Sequence, residues 1–541
     1  MLETVLVWLL APRSALGLAA QGTAPPPFDV FHDVRWLVVY HESWFGFVCE
    51  VLAFFVLRGL LTALIVRAAW PEDIAPEPLS VTLRRGVVYT AIVAALFVPW
   101  VGLLFAMAVV SLSWLFFVAV PVVLMLALLV HGAAVSDTWW RRTLPARSLG
   151  WVMVAFGALT MFGSVLATCA PWLRVPVAAV AGLVNAAIWL RIVDAVLHRR
   201  RAPRRVAVAP IGVGIVLAVV VGGTTVGFAL SDTSAERVAR AASRGVVDND
   251  EGVLTASGTG GPLVVVTGFN TQWNGRPDDF VKLAVPQRRF SYRGMQNGAP
   301  LPYARNDTHR SLRVLAKELR AQVDEYARVS GQAVTIVAES EGSLVAKAYL
   351  AASPGAPVRN LVILSPLVDP GRVYYPSDGN EGWGAFGGLE LSGIAWALGG
   401  VSPVDVEPDT PFLRSIVDHA PAVSALMACD IPRVRELAVL PLDTAVSATP
   451  RDLGIPFTVV PGFHGGMLDD KTTARLVRRV VDGRPVPRDS AWVVAEGVIS
   501  AGATAWQVPR LAADINDAWH DAPRTDDCRA VRAHLQRWLG E

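Results

Sequence analysis

Before residue 231 the chain repeats one pattern: an apolar run of about 20 residues, long enough to cross the hydrocarbon core of a bilayer, then a short polar connection. The runs are Trp44 to Val66, Val87 to Val109, Val110 to Val130, Leu149 to Leu173, Val175 to Val196 and Val206 to Leu230. They predict about six transmembrane helices. Composition agrees, since 53% of the 541 residues are hydrophobic, only 17% are charged and the mean hydropathy is +0.43. A wholly soluble chain of this length is far more polar. The second and third runs meet at Ser111 and Ser113, and Pro99 and Pro121 are expected to kink them. Met1 to Ala20 is apolar but short, is broken by Pro12-Arg13 and lacks a basic start. It reads as an interfacial or partly inserted helix, not a cleaved leader.

Arginine sets the expected orientation. The connection after the first run carries Arg67, Arg84 and Arg85, the one after the third Arg141, Arg142 and Arg147, and the one after the fifth His198-Arg-Arg-Arg-Ala-Pro-Arg-Arg205. Positive loops stay in the cytoplasm, so residues 231–541 are expected on the far side of the cytoplasmic membrane. Within the spans, Glu50 and Arg58 lie two turns apart on one face, either a functional charge pair or one that fixes packing with Glu50 near the outer interface, and Arg191 with Asp194 reads as an interfacial pair. Cys429 and Cys528 are the only cysteines of the polar half. Two alternatives stand for them: one disulfide in an oxidising compartment, or two unrelated buried thiols. The net charge of +2, with no basic stripe interleaved with aromatics, excludes a nucleic-acid footprint. No stretch resembles a nucleotide-binding loop, and the chain calls for no cofactor and no metal.

Residues 231–261 form a polar linker. Beyond it, strand and helix patterns alternate: Leu263 to Thr267, Gln287 to Tyr292, an amphipathic helix over Ser311 to Arg328, Val358 to Leu364, Val434 to Leu440, Pro456 to Val460 and a basic helix over Thr472 to Val481. This rhythm predicts a mostly parallel sheet covered on both faces. Its centre is Val334-Thr-Ile-Val-Ala-Glu-Ser-Glu-Gly-Ser-Leu344, where a strand stops, small residues stand at Ala338 and Gly342, and a helix begins. Such a turn lifts Ser340 out of the backbone at a helix N-terminus.

This stretch is the G-x-S-x-G elbow with Ala for its first Gly, and with the order of elements it makes residues 262–482 resemble the α/β-hydrolase superfamily. The resemblance covers roughly 220 residues and implies a small lipase- or cutinase-like form without the first two strands of the full fold. It implies the chain order Ser…Asp…His. Glu339, where lipases commonly carry His, departs from the pattern.

A serine hydroxyl needs a base, and the base an orienting acid. His464, in Gly462-Phe-His-Gly-Gly466 after the last strand-like run, is the candidate base; His309, His419, His520 and His534 read as packing or surface residues. Asp443, ending Leu437-Ala-Val-Leu-Pro-Leu-Asp443, is the favoured acid, and Asp369, after Leu364-Ser-Pro-Leu-Val, the alternative. Asp469 and Asp470 are expected to cap the following helix. Phe269, after Gly268, and Glu341 occupy the places from which the resemblance implies that backbone N–H groups form an oxyanion hole.

An insertion over about 370–432 contains the apolar, glycine-rich Trp383 to Leu398, which resembles a lid able to dip into the outer leaflet; a helical cap completing the core is the other reading. Residues 483–541 carry amphipathic helix patterns. The expected plan is an interfacial segment (1–42), an all-α polytopic membrane domain (43–230), the linker, an α/β-hydrolase domain (262–482) and a C-terminal helical extension. The implied activity is a membrane-anchored serine hydrolase acting on acyl esters, lipid or envelope-linked, with bilayer lipids as partners. Two alternatives remain: an acyltransferase using the same residues, or a transport or assembly protein whose hydrolase-like domain only binds.

Overall fold

The computed structural model describes residues 1–10, 13–112, 114–139, 145–198, 261–276, 286–399, 407–444, 453–487, 490–510, 519 and 528–540. It comprises a membrane-type helical region and a separate α/β domain with a parallel sheet.

The helical region contains α1 (Leu2–Leu10), α2 (Phe28–Val39), α3 (Trp44–Ala68), α4 (Leu79–Val110), α5 (Trp114–Val130), α6 (Ala146–Thr168) and α7 (Arg174–Leu197). Four helices among the described residues are long and apolar enough to cross a membrane: α3, α4, α6, and α7 with the short turn preceding it. Of the six expected spans, one is corrected and one lies outside the described residues. The run from Val110 to Val130 becomes α5, with 17 residues and Pro121 inside it, and it rises only about 26 Å, short of a hydrocarbon core of about 30 Å. The run from Val206 to Leu230, the linker over 231–260 and the arginines at 141–142 and 199–205 lie outside the described residues.

At 32 residues, α4 is about 48 Å long and overreaches the bilayer core, so its two ends report on the two ends of the bundle. Near its start, Arg85 pairs with Glu77 and Asp137, each at 2.6 Å. Around the same end, His198 meets Asp73 at 2.6 Å, and Asp194 meets Arg147 at 3.7 Å, a pairing that replaces the expected Arg191–Asp194 contact. At the far end of α4 the α/β domain docks. Gly371 N–H donates to Val109 O at 2.7 Å, Arg372 N–H to Ala108 O at 3.2 Å, and Asp369 N–H to the Ser111 hydroxyl at 3.4 Å. The α/β domain therefore sits at the end of the bundle opposite the described arginine-bearing loops.

Arg58, half-way down α3, does not turn to Glu50. Its guanidinium binds Asp33 of α2 through Nε at 2.6 Å and Nη2 at 2.7 Å, and the Gly22 carbonyl at 2.9 Å. A fork that meets both carboxylate oxygens holds the charge better than a neighbour on the same helix.

In the α/β domain six strands, β1 (Leu263–Val266), β2 (Gln287–Arg289), β5 (Val334–Glu339), β6 (Val358–Leu364), β7 (Arg435–Pro441) and β8 (Phe457–Val460), run in the order β2-β1-β5-β6-β7-β8. Every pairing is parallel. A two-stranded hairpin, β3 (Met295–Gln296) with β4 (Ala299–Pro300), stands apart. Alternation along the strands divides the core. Val264, Val266, Ile336, Ala338, Leu361 and Ile363 face α8 (Leu312–Ser330) and α9 (Glu341–Ala352), while Leu263, Val265, Val337, Val362 and Leu364 face α13 (Lys471–Val481). Between β6 and β7 come α10 (Ala385–Gly399), α11 (Pro411–Asp418) and α12 (Ala420–Ala428); α14 (Ser490–Ala503) and α15 (Cys528–Gly540) follow the sheet.

The apolar stretch from Trp383 onward forms α10 and lies on the membrane bundle. Gly387 meets the Phe105 ring of α4, Phe386 stacks on Phe47 of α3 at 4.7 Å between centroids, and Gly384 N–H donates to Val39 O at 3.1 Å. The segment after α14 plugs into the same bundle: Trp506 is buried, stacks on Phe156 at 4.6 Å and donates to the Thr160 hydroxyl at 2.9 Å. Cys429 and Cys528 form a disulfide across 99 residues, tying α15 to the end of α12.

Candidate active site

The strand order reverses between β1 and β5. From β1 the chain crosses to the edge at β2, then returns to β5 on the other side of β1. Loops leaving the carboxyl ends of those two strands diverge there and open a crevice, the place where open parallel sheets bind ligands. The loop after β1 begins with Thr267, and the turn after β5 is Ser340.

Ser340 has φ 55° and ψ −121°, a backbone conformation costly for a residue with a side chain. Its N–H donates to Leu364 O of β6 at 3.0 Å, and α9 starts at the next residue. The turn closes only because its flanks are small. A Cβ on Gly342 would lie 2.7 Å from Val266 O and 2.8 Å from Thr267 O, and one on Gly268 would lie 3.0 Å from the Ser340 Cβ. Helix, strand and loop thus approach to backbone contact around the serine, whose side chain remains half-exposed.

His464 Nε2 lies 2.7 Å from the Ser340 hydroxyl. The ring is carried on the loop between β8 and α13, where Gly465 takes φ +84°. Its Nδ1 is shielded from solvent and has no hydrogen-bond partner among the described residues. Desolvation holds the imidazole pKa down to about 4, so at neutral pH the ring is uncharged and able to accept a proton. Asp443, buried in the short turn after β7, lies against the same loop, but it accepts the backbone N–H of His464 at 2.9 Å rather than the ring. Burial pushes its carboxyl up to about 6, a shift that the His464 N–H opposes.

Asp369 is placed elsewhere. It forms a two-pronged ion pair with Arg510, at 2.9 and 3.0 Å, and its backbone meets Ser111 of the α4–α5 turn.

The two expected backbone donors flank Ser340. Glu341 opens α9, where the first N–H groups of a helix have no intrahelical acceptor. Its side chain is fully buried and its oxygens have no hydrogen-bond partner among the described residues. Desolvation raises its pKa well above the ordinary carboxylate value. Phe269 follows Gly268 beside the serine, and its ring stacks on His309 at 4.5 Å. His309 Nε2 also meets Asn270 Oδ1 at 2.7 Å, and Asn270 N–H donates to the Thr308 hydroxyl at 2.9 Å. His309 therefore fastens the loop, which is the packing role expected of it. His419 lies against Trp538, with ring centroids 4.3 Å apart; His520 is outside the described residues. Asp470 caps α13 by accepting from Thr473 N–H at 2.7 Å, as expected.

The residue whose importance the sequence conceals is Glu339. It ends β5, is buried, and accepts the N–H of Met467 at 2.8 Å from below the His464 loop. The sequence signal was present only as an acid where the motif commonly has histidine. Among the described residues no group of three or more His, Cys, Asp or Glu is arranged to hold a metal ion.

Comparison with family models, with curated proteins and with solved structures gives no match for this chain. The functional reading accordingly rests on the site's own chemistry.

Proposed function

We propose that the protein is a membrane-embedded serine hydrolase of α/β-hydrolase type that cleaves acyl esters of lipids, with Ser340 as nucleophile, His464 as general base and Asp443 as the orienting acid. One observation carries the reading: a serine held at φ 55° on a strand-to-helix turn, with an uncharged imidazole nitrogen 2.7 Å from its hydroxyl. A serine is a poor nucleophile until a base takes its proton, and this pairing supplies the base within hydrogen-bond reach of the hydroxyl.

In the proposed reaction the Ser340 oxygen attacks the ester carbonyl while its proton passes to His464 Nε2. Negative charge then develops on the carbonyl oxygen, where the N–H groups of Glu341 and Phe269 stabilise it. Collapse expels the alcohol, which takes the proton from His464 and leaves an acyl-serine. Water, deprotonated by the same imidazole, attacks that ester; the carboxylic acid departs and Ser340 regains its proton. Asp443 completes the relay by turning its carboxylate from the His464 backbone toward Nδ1 as imidazolium forms, a tightening that catalytic hydrogen bonds commonly show on going from the free enzyme to the complex.

The lipid assignment is supported by what surrounds the crevice. The sheet edge that carries Ser340 and His464 is the edge from which the β6 loop reaches the end of α4. Phe463, beside His464, is 77% exposed, and on α10 Trp396 is 84% exposed. Apolar α14 exposes Val494 and Val498. These faces suit a bilayer surface and a substrate whose chains remain in the leaflet. Docking at the bundle end away from the described arginine loops, with a disulfide in the α/β domain, supports an extracytoplasmic domain.

The test is hydrolysis of p-nitrophenyl butyrate and of a dispersed phospholipid by the purified full-length protein. Wild type is expected to release acid from both and Ser340→Ala from neither. Equal rates for the two proteins would reject the assignment.

A further inference from the structure

The geometry points to Glu339 as a positioning residue that fixes the His464 loop to the strand bearing the nucleophile. The inference rests on the proposed hydrolase chemistry and extends it to a residue that never touches substrate.

Glu339 and Ser340 are adjacent, yet their side chains leave the sheet differently. Glu339 continues the alternation of Val337 toward the face covered by α13, whereas Ser340 rises from the sheet edge. Below that edge Glu339 accepts the N–H of Met467 at 2.8 Å, and the neighbouring Leu468 N–H also favours the ionised carboxylate. Met467 is buried, so without the acid its backbone donor loses its partner in an apolar setting. Three residues earlier in the same loop, His464 reaches the Ser340 hydroxyl at 2.7 Å. A small ring is thereby closed: Ser340, its covalent neighbour Glu339, Met467, His464, and Ser340 again. Asp443 pins the loop at a second point through His464 N–H. The two carboxylates hold the loop at both ends of the segment that aims the imidazole, and a base displaced by about 1 Å costs about a hundredfold in rate.

The charge state of Glu339 enters through this ring. As a carboxylate both oxygens accept; once protonated, one oxygen becomes a donor and faces backbone N–H groups. Burial, reinforced by Asp469, raises the carboxyl to about 7, opposed by the two N–H groups. The surrounding elements offer no cation among the described residues: α13 turns Leu476, Val477 and Val480 to the sheet, Thr267 and Ser365 follow β1 and β6, and Asp443 follows β7. Ionised Glu339 holds the loop and neutral Glu339 loosens it, so turnover rises with pH through about 7.

The experiment compares wild type, Glu339→Gln and Glu339→Leu in the full-length protein, with p-nitrophenyl butyrate turnover followed across pH and fluorophosphonate labelling followed in parallel. Glu339→Leu is expected to lose about a hundredfold in kcat with KM nearly unchanged. Glu339→Gln keeps one acceptor and cannot ionise, so it is expected to show reduced kcat at neutral pH and an acid limb shifted from about 7 to about 6, where Asp443 titrates. Should Glu339→Leu fail to fold, as judged by its melting transition, the Gln profile alone decides. Wild-type kcat and an unmoved limb near 7 in Glu339→Gln would overturn the inference. Failure of the underlying hydrolase reading is distinct: wild type would then neither turn over the ester nor take the label at Ser340.

Discussion

Asp443 accepts the main-chain N–H of His464 at 2.9 Å, so this carboxylate is tied to the His464 loop rather than to the imidazole ring. That contact is the reason the proposed acid is placed after β7. The short turn after that strand delivers Asp443 to the loop after β8, which is the neighbouring strand in the sheet. Asp369, after β6, meets Arg510 instead.

Asp443→Asn is therefore expected to cut turnover by about 10⁴-fold, as loss of a triad aspartate does by leaving the wrong imidazole tautomer. Asp369→Asn is expected to keep turnover near wild type while weakening the contact with Arg510. Ester kinetics on both variants, with melting curves, distinguish the two; a damaged Asp369 variant beside an active Asp443 variant would move the acid to the loop after β6.

Gly342→Val tests the close approach beneath the serine. The added Cβ would lie 2.7 Å from Val266 O and 2.8 Å from Thr267 O, both main-chain atoms that cannot swing aside. Strand and helix must part, so the variant is expected to lose about 1–3 kcal/mol of stability and most Ser340 reactivity. Gly355→Ala, where an added Cβ meets nothing within 4 Å, is the matched control and is expected to behave as wild type.

Much of this site is readable in the sequence because its signals are local. The β-branched run ending at Ala338, the small residues flanking Ser340 and the glycines around His464 each constrain a turn by themselves. What escapes is decided between distant segments. Arg58 and Glu50 share a helix face, but Asp33 on α2 offers both oxygens to the guanidinium, and that fork wins. Trp506 looks like one aromatic in a polar tail until the fold seats it against Phe156. The break between the second and third apolar runs at Ser111 is legible, but the 17-residue length of α5 is not. Glu339 is visible as a departure, but its meaning lies in Met467, 128 residues away.

Topology is tested on intact spheroplasts. Each arginine moved through the bilayer centre costs about 2.5–3.5 kcal/mol on insertion scales, so the clusters around Arg84, Arg147 and Arg204 resist translocation together. Protease added outside is expected to cut within residues 231–541, and an alkaline phosphatase fusion after Ser231 to be active. Protection of the whole domain until the membrane is broken would place the chemistry on the cytoplasmic face.

The central claim is that Ser340 is an activated nucleophile, and the direct measurement is covalent capture. The full-length protein in its membrane is treated with a fluorophosphonate probe, digested, and the adduct located by mass spectrometry. The expected result is a single adduct on the peptide carrying Ser340, absent in Ser340→Ala and strongly reduced in His464→Ala. Labelling that persists in Ser340→Ala on another serine, or a folded wild-type protein that takes no label, would contradict the account.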